Sequence, residues 1–520
     1  KPPKNGLNTS VKMSSDKIMS LEELTEKVKS AKADGKKVVH CHGVFDLLHI
    51  GHIKHFEEAK SYGDILVVTA TADKYVNKGP NRPVFAIELR LEALASLEAI
   101  DYVAENKGPT AVETIKILKP DIYCKGPDFK NNADDITGKI GEEKDAVKFV
   151  DGEIKYTTDI TFSSSNLLNR FGDVYSKPQK SFIEQLKSKY SFDDMKKLID
   201  DLKDAKVLVI GETIIDQYVF CEALGKSGKE PVLVLRDMGT EQYAGGAAAI
   251  ARHLADFCSE ITLLSILGEK GEHEDFIRSN IPENVETFFL YKTDSPTIVK
   301  KRFVDHINRS KVLGVYSLNE EVIKKDIEMQ FLHRLEKLIP QHDMVIVSDY
   351  GHGMISSKTA EFIAEKAPFL ALNAQVNAAN IGYHTMNKYR SVECAIINET
   401  ELRHELRDRE GDVKPLLKKL AVNLSSKFSV VTSGSSGAIL YNHESEDYFV
   451  CPAFASKVVD KIGAGDAMLA LLSISLFNTG EESLSLLLGS LAAAQSVESI
   501  GNSIPISKTT LLKTIQHSFK

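Results

Sequence analysis

Residues 42–52 read HGVFDLLHIGH and stand where an apolar run, Val38-Val39, gives way to a helix-like stretch, Ile53 to Tyr62. Two histidines three positions apart, His49 and His52, therefore lie where a strand is predicted to end and a helix to begin. Backbone N–H groups without helical partners and the positive end of the helix dipole gather at such a turn, which suits an anion. Imidazoles there can donate hydrogen bonds to phosphate oxygens as negative charge builds up. The stretch predicts a strand–turn–helix unit that carries nucleotide chemistry.

The composition is ordinary for a globular protein and narrows the classes of function. The 520 residues suffice for about two to four domains, and 42% of them are hydrophobic and 27% charged. A net charge of −8 argues against nucleic acid as a partner, because a nucleic-acid surface shows a basic stripe. No apolar run approaches the ~20 residues that cross a membrane. The polar start, Lys1 to Ser20, lacks the apolar core of a signal peptide and is predicted to be a flexible tail.

The cysteines indicate a reducing compartment. The chain has six, all scattered and none in a Cys-x-x-Cys pair. This pattern fits reduced thiols better than a disulfide framework or a zinc site. We therefore expect a cytoplasmic protein with no membrane partner.

Apolar runs alternate with amphipathic stretches along the chain, which predicts α/β structure with parallel sheets. The first series has strands at Lys37–Cys41, Ile65–Ala70 and Asp121–Tyr123, and helices at Glu57–Tyr62, Ile87–Ala99 and Thr110–Leu118. The second series has strands at 206–211 and near 261–265, 343–348, 394–397 and 428–432, with a β-rich stretch at 289–317. We predict a tail and first helix over 1–35, a nucleotide-handling domain over 36–170, a charged helical linker over 171–204 and a second α/β domain over 205–520.

Three more motifs follow the two histidines in order. They are KGPNRP at 78–83 with Arg90 after it, KGPD at 125–128, and FSSSN at 162–166. Together with Gly43, Phe45 and Gly51 around the histidines, they resemble the nucleotidyltransferase superfamily that carries a His-x-Gly-His signature. The resemblance implies that a substrate phosphate attacks the α-phosphate of a nucleotide and that pyrophosphate leaves. Such a reaction needs positioning and charge neutralisation rather than a covalent intermediate.

The same resemblance implies a role for each matching residue. His49 and His52 would hold the phosphates, Lys78 and Arg90 would neutralise the β- and γ-phosphates, Ser163 and Ser164 would bind the triphosphate, Gly43, Phe45 and Gly51 would contact the nucleotide, and Lys125 and Asp128 would face the acceptor. Mg²⁺ would bridge the phosphate oxygens of ATP or CTP. His42 stands where relatives usually carry Asn or Tyr, a departure that either tunes the choice of nucleotide or changes nothing.

A second reactive turn lies near the end of the chain. Residues 460–466 read DKIGAGD and lead into a helix predicted over Ala467 to Leu476. Backbone N–H groups of Gly463, Ala464 and Gly465 would form an anion hole, and Asp466 could take a proton from a hydroxyl nucleophile. An ordinary helix cap would use the same residue types.

Other features of this half strengthen the catalytic interpretation. They are Asp216 after the first strand, Gly245 and Gly246 before a helix, Asn398 and Glu401 as an Asn-x-x-Glu for Mg²⁺-linked waters, and a phosphate loop with Thr432, Gly434 and Gly437. The set resembles the ribokinase (PfkB) family of carbohydrate kinases. The two resemblances together imply two Rossmann-like domains, a nucleotidyltransferase fold first and a ribokinase-like fold with a small β-rich lid second. The kinase resemblance also implies ATP and Mg²⁺ at the kinase site and Asp216, Gly245 and Gly246 as sugar-binding residues.

A closer resemblance covers both halves. SDYG at 348–351 and PTIVK at 296–300 resemble the kinase half of the bifunctional heptose-phosphate kinase/adenylyltransferases of lipopolysaccharide biosynthesis, and the first domain resembles their transferase half. The order here is reversed. Two departures concern the acceptor: Ala249 replaces an asparagine that binds the sugar, and NAQVN at 373–377 replaces Asp-Pro-Lys-Gly. A neutral or differently substituted sugar is therefore expected.

The leading hypothesis is a bifunctional enzyme. Its kinase phosphorylates a sugar or sugar phosphate with ATP, and its transferase couples AMP or CMP to a sugar phosphate, giving an activated sugar for surface glycan. One alternative is a cytidylyltransferase for a polyol phosphate such as glycerol phosphate, joined to a sugar or polyol kinase. Another is one active domain with a decayed, regulatory kinase. The expected partners are these small molecules and a second copy of the chain in a homodimer.

Overall fold

The structure, a computed structural model, describes residues 14–76, 82–126, 139–157, 175–376 and 380–519. The chain divides into two compact units. The first comprises Lys1–Val174 with Leu512–Lys520, and the second comprises Tyr175–Leu511.

The first unit is a five-stranded parallel sheet between helices, with strand order β3-β2-β1-β4-β5. Its strands are β1 Val38–Gly43, β2 Ile65–Thr71, β3 Tyr102–Asn106, β4 Ile122–Lys125 and β5 Glu153–Tyr156. Its helices are α1 Leu21–Ala33, α2 Ile50–Lys60, α3 Ile87–Ala95, α4 Val112–Leu118 and α5 Lys139–Phe149. Strand β2 is buried along its whole length, because apolar clusters cover both sheet faces. The predicted parallel α/β sheet is confirmed.

Two boundaries of this unit differ from the prediction. Helix α2 begins at Ile50 rather than Glu57, because His49 caps it and starts it directly after the turn. The segment before α1 is tied to the sheet within the described residues. Met19 donates its backbone N–H to the Val103 carbonyl at 3.1 Å, and Ile18 forms a parallel bridge with Val103. Residues 14–19 are therefore not a free tail.

The second unit contains two sheets. Its strands are β6 Lys206–Gly211, β7 Thr213–Lys226, β8 Leu233–Gly246, β9 Glu260–Gly268, β10 Val285–Lys292, β11 Val299–Asp305, β12 Lys311–Ser317, β13 Met344–Asp349, β14 Leu370–Ala374, β15 Cys394–Asn398, β16 Phe428–Thr432, β17 Ala438–Asn442 and β18 Tyr448–Cys451. The remaining helices are α6 Lys177–Lys187, α7 Phe192–Asp201, α8 Ala247–Leu254, α9 Glu274–Ser279, α10 Lys325–Leu338, α11 Ser357–Lys366, α12 Glu399–Leu406, α13 Val413–Leu424, α14 Ala464–Thr479, α15 Glu482–Ser496 and α16 Lys508–Phe519.

The larger sheet has nine strands in the order β10-β9-β6-β13-β14-β15-β16-β17-β18, and the last two pair antiparallel. The smaller sheet, the lid, has the order β12-β11-β7-β8. The β-rich stretch predicted at 289–317 supplies two lid strands, while β10 joins the main sheet. The other two lid strands come from 213–246. Strand β8 was missed because most of its positions are exposed, so it shows little of the apolar alternation that marks a half-buried strand.

The predicted linker over 171–204 is corrected for its described part. Helices α6 and α7 each bury an apolar stripe, with Phe182, Ile183 and Leu186 on α6 and Met195 and Ile199 on α7. Phe182 lies 6.4 Å from Phe454 between ring centroids. The two helices therefore belong to the second unit, because their apolar faces are part of its packing.

Helix α14 is apolar on all sides and buried from Asp466 to Leu476. A helix of that kind lies in the centre of a domain. It therefore holds its first turn, with Asp466, in a rigid position. No helix of the described residues has the length and apolarity to cross a membrane.

Candidate functional site

The turn of the first unit presents both histidines at the start of α2. His49 is the N-cap, and its Nδ1 accepts a hydrogen bond from the Gly51 backbone N–H at 3.1 Å. The rings of His49 and His52 lie 4.0 Å apart between centroids, at 31°. The structure thus brings the two predicted histidines and Gly51 together at a helix N-terminus, the geometry that favours an anion.

Phe45 orients this turn. Its backbone has a φ of +48°, a left-handed conformation, and its ring packs edge-on against His52 at 5.5 Å. A side chain at Gly43 would place its Cβ 2.8 Å from Cζ of Phe45. Gly43 is therefore needed for the ring of Phe45 to fold back on the turn.

Asp46 and Arg82 form a buried ion pair that the sequence did not single out as a site. Nε of Arg82 lies 2.5 Å from Oδ2 of Asp46, and the backbone N–H groups of Val84 and Phe85 donate to the other oxygen, Oδ1. The pair fixes the chain that follows residues 77–81. The basic motif at 78–83, which contains Arg82, was the available signal.

Arg90, which was predicted to neutralise the β- and γ-phosphates, makes its contacts within the protein. Its guanidinium is buried and donates to the carbonyls of Val44, Thr71 and Phe85 and to the carboxylate of Asp73. It therefore holds the turn after β1 against α3, and its contact with a triphosphate stays a prediction. Lys125 is similarly engaged, with its Nζ 2.8 Å from Oε2 of Glu143 on α5.

Four predicted residues of the first unit lie outside the described ranges. They are Lys78, Asp128, Ser163 and Ser164. Their roles stay predictions.

Asp466 is the centre of the site in the second unit. The hydroxyl of Tyr350 donates to its Oδ1 at 2.6 Å, and Gln375 lies 3.5 Å from the same oxygen. Burial raises the pKa of the Asp466 carboxyl to about 7, the hydrogen bond from Tyr350 opposes that rise, and the charge of Asp216 adds to it. A carboxyl of that pKa is suited to exchange a proton near neutral pH.

The glycine turn before α14 is crowded by protein atoms at Gly463 and accessible at Gly465. Gly463 has a φ of +90°, and a Cβ there would lie 2.1 Å from Oδ1 of Asn502. A Cβ on Gly465 would meet nothing within 4 Å. The N–H groups at the start of α14, with Ala464 first in the helix, therefore lie where an anion can approach.

The sugar-side residues meet at the lid. Oδ1 of Asp216 on β7 lies 2.5 Å from Nη1 of Arg302 on β11, and both side chains are almost fully buried. A Cβ on Gly245 would lie 2.2 Å from Oδ2 of Asp216, and Gly246 has a φ of +63°. Lys300, two residues before Arg302, lies 5.5 Å above the ring of Tyr350. Lys300 lies within the PTIVK motif, but no role was predicted from the sequence for Lys300 or Arg302.

The expected Mg²⁺ residues form a capping box. Asn398 accepts from the Glu401 backbone N–H at 2.9 Å, and Glu401 accepts from the Asn398 N–H at 3.1 Å and from Val376 at 3.3 Å. Burial raises the pKa of Glu401 to about 7. These contacts account for the Asn-x-x-Glu spacing, because they begin α12. A role in ordering waters around magnesium stays a prediction, and no step is assigned to it.

The predicted phosphate loop lies after β16. Thr432 ends the strand, Gly434 is exposed with a φ of +56°, and Gly437 packs so closely that a Cβ would lie 2.1 Å from the Cys451 carbonyl oxygen. Gly437 thus has a packing reason for being glycine, while Gly434 is accessible to a ligand.

The fold and the two turns define an α/β protein with one helix start in each unit whose geometry favours an anion. The model of the pfkB family of carbohydrate kinases matches residues 204–509, which is more than half of the chain. The chain therefore belongs to the pfkB family. A second family model, cytidylyltransferase-like, matches residues 40–189.

Curated relatives match in part. The bifunctional protein HldE of Sulfurimonas denitrificans is 44% identical over 138 residues, which are 26% of this chain and 29% of that protein. The bifunctional protein HldE of Campylobacter jejuni subsp. jejuni serotype O:2 is 28% identical over 301 residues, 57% of this chain and 62% of that protein. In both comparisons the chain spans less than two thirds of the relative.

Solved ribokinase-like structures are also similar. Ribokinase of Arabidopsis thaliana has a TM-score of 0.46 at 19% identity, covering 60% of this chain and 99% of that one. Phosphofructokinase-2 of Escherichia coli has a TM-score of 0.48 at 14% identity, covering 61% of this chain and 100% of that one.

Proposed function

We propose that the chain is a bifunctional enzyme with a carbohydrate kinase in its second unit and a nucleotidyltransferase in its first. The observation that carries the proposal is Asp466, buried at the start of α14 beside an open glycine turn, in a chain of the pfkB family. The cytidylyltransferase-like match over 40–189 and the relatives named as bifunctional support the second activity. The product would be a nucleotide-activated sugar for surface glycan.

In the kinase reaction, Asp466 would accept the proton of the sugar hydroxyl as that oxygen attacks the γ-phosphate of ATP. The N–H groups of Gly463 to Gly465 would stabilise the charge on the transferred phosphoryl group. Asp216 would orient the sugar through its hydroxyls. Tyr350 would act on the reaction through its hydrogen bond to Asp466, so it is a positioning residue. A magnesium ion bound with the nucleotide would supply neutralisation of the phosphate charges.

In the transferase reaction, His49 and His52 would donate hydrogen bonds to the α-phosphate as the acceptor phosphate attacks it. The α2 N-terminus adds its partial positive charge there. Pyrophosphate leaves, and no covalent enzyme intermediate forms. Phe45 and Gly43 keep the ring of His52 in place.

The test is mass spectrometry of products after incubation of the full chain with a panel of sugars and sugar phosphates plus ATP or CTP. We expect a phosphorylated sugar with ATP, and a nucleotide sugar with release of pyrophosphate. Asp466→Asn should remove the first product and His52→Ala the second. Nucleotidyl transfer without phosphorylation of any sugar would favour the decayed, regulatory kinase instead.

The acceptor of the kinase is proposed to carry a negative charge. Ala249 is fully buried in α8 and offers no polar group, and Gln375 from the altered segment turns toward Asp466. Those two features favour a neutral acceptor. However, Lys300 and Arg302 provide two cations beside Asp216, and a sugar phosphate would use them better than a neutral sugar.

A competition assay separates the two acceptors. We expect a higher kcat/KM for phosphorylated than for unphosphorylated sugars, and Lys300→Met should remove most of that preference. An equal or opposite preference in the unaltered enzyme would support the neutral sugar indicated by Ala249.

The second candidate, a cytidylyltransferase for a polyol phosphate, is favoured by the family model over residues 40–189, which is described as cytidylyltransferase-like. It predicts CTP rather than ATP as the nucleotide of the first unit. Adding glycerol phosphate to the panel with each nucleotide tests it directly.

A homodimer through the lid is proposed from its outer strands. Every residue of β12 is exposed, including Leu313, Val315 and Tyr316, and Leu233 and Met238 are exposed on β8. Apolar residues on unpaired edges favour association. Val315→Lys should convert a dimer to a monomer in light scattering, whereas Val422→Lys on exposed α13 should not. A monomeric unaltered protein would exclude the dimer.

A further inference from the structure

Two cysteines and a histidine converge beneath the turn of the first unit. Cys41 on β1 and Cys124 on β4 are direct partners across these neighbouring parallel strands, and His55 lies on α2. One ligand atom from each residue lies within 4.8 Å of the others. Among the described residues of the chain, these three form the group of cysteine, histidine and acidic side chains close enough to hold a metal ion.

We propose that Cys41, His55 and Cys124 form a binding site for a thiophilic metal ion, with Zn²⁺ as the expected occupant. Thiolate and imidazole ligands select zinc over the hard cation Mg²⁺. Three protein ligands leave the fourth position of a tetrahedron for water. The site does not depend on the proposed function, because no step of the nucleotidyl transfer uses it.

The surroundings of His55 fit a metal ligand. Its Nδ1 lies 3.0 Å from the hydroxyl oxygen of Thr157, which is buried. A histidine that ligates a metal usually holds its other ring nitrogen in such a hydrogen bond, which fixes the orientation of the ring. Nε2 is then the nitrogen left for a metal.

The two thiols are buried in the sheet. On binding, each cysteine sulfur forms a bond to the metal and releases its proton to solvent, so two protons leave for one Zn²⁺. Nothing is oxidised or reduced in this step.

Such an ion would join the elements that carry the transferase residues. Cys41 precedes His42 and Gly43 on β1, Cys124 precedes Lys125 on β4, and His55 follows His52 by one turn of α2. Zinc would thus fasten α2 to the two central strands. The site was not predicted from the sequence, because its ligands are far apart in the chain and include no Cys-x-x-Cys pair.

The experiment uses the full chain in reducing buffer. Zinc is measured by plasma mass spectrometry after dialysis against a weak chelator, and cobalt substitution reports sulfur ligation through the thiolate-to-cobalt charge-transfer absorption. We expect about one tightly bound zinc ion per chain and a clear charge-transfer band. Zinc should also raise the melting temperature. A chain that retains no zinc, or cobalt bound without the sulfur band, overturns the proposal.

Variants identify the ligands. Cys124→Ser and His55→Gln should each lose the zinc, and Thr157→Val should weaken zinc binding by roughly 10–100-fold through loss of the outer hydrogen bond. The control is Cys258→Ser, which changes a buried cysteine of the second unit. This variant should still bind zinc. If Cys124→Ser does not fold, the His55 variant and the cobalt spectrum of the unaltered chain still test whether these residues bind the metal. Retention of zinc in folded His55→Gln contradicts this ligand set.

Discussion

At the scale of single residues, burial and the hydrogen bond from Tyr350 act in opposite directions on the pKa of Asp466. Tyr350 and Asp466 are 116 positions apart in sequence and 2.6 Å apart in space. A hydrogen bond to the charged form of a carboxyl favours that form, so Tyr350 partly offsets the effect of burial.

Replacing Asp466 by Asn should abolish phosphorylation and spare nucleotidyl transfer. The amide cannot take the proton of the attacking hydroxyl, and a general base typically contributes ~10²–10⁴-fold. Both activities are measured on the same preparation, so the transferase serves as the internal control. A near-normal kinase rate in this variant would remove Asp466 from the mechanism.

Replacing Tyr350 by Phe should move the acid limb of the kinase pH profile to higher pH. The variant loses a hydrogen bond to the carboxylate, so the pKa of Asp466 rises further above about 7. A hydrogen bond to a charged group is worth about 1.5–3 kcal/mol, which corresponds to roughly one to two pH units. The profile of kcat/KM measures the shift. A uniform loss of rate with an unmoved limb would mean that Tyr350 has a purely structural role.

At the scale of elements, the site depends on close contacts at the ends of strands and helices. Strand β8 ends at Gly245 and Gly246, where the backbone passes the carboxylate of Asp216. Helix α14 is preceded by Gly463, which has a left-handed conformation, and a larger residue there would displace Asn502. Both positions therefore leave no room for a side chain.

Gly245→Ala should raise KM for the sugar about tenfold or more and leave KM for ATP unchanged. The new Cβ would lie 2.2 Å from Oδ2 of Asp216, so that carboxylate must move from its pair with Arg302. Overpacking of this kind costs about 1–3 kcal/mol, and every 1.4 kcal/mol is a factor of ten in affinity. Gly228→Ala, where a Cβ meets nothing within 4 Å, is the matched control in the same lid. An unchanged sugar KM in the Gly245 variant would separate Asp216 from substrate binding.

At the scale of the whole molecule, the two proposed activities lie in separate compact units. Each unit has its own sheet and its own apolar clusters. Loss of one activity by a point change is therefore expected to leave the other in place.

His49→Ala and His52→Ala should each lower nucleotidyl transfer ~10²–10³-fold, the usual loss when a donor to a developing charge is removed. Kinase activity should stay at the level of the unaltered chain. His333→Ala, on an exposed position of α10, is the control for histidine removal. Kinase activity lost from a folded His52 variant would show that the two sites are coupled.

The sequence by itself determined the two α/β series, the reactive turns at 42–52 and 460–466, and the family resemblance of each half. These features are local: the period of apolar residues and the glycines of a turn are properties of a few neighbouring positions. The capping box of Asn398 and Glu401 is equally local but was not predicted, because its Asn-x-x-Glu spacing was interpreted as a magnesium-linked motif.

The tertiary structure alone decided which distant residues meet. Tyr350 reaches Asp466, Arg302 reaches Asp216, and Cys41 meets Cys124, because strand order sets these neighbours and the sequence pattern does not encode it. It also decided the burial of Arg90 and the membership of β7 and β8 in the lid. In physical terms, local propensity selects the elements, while the burial of their apolar faces selects how they pack and so which polar groups must pair.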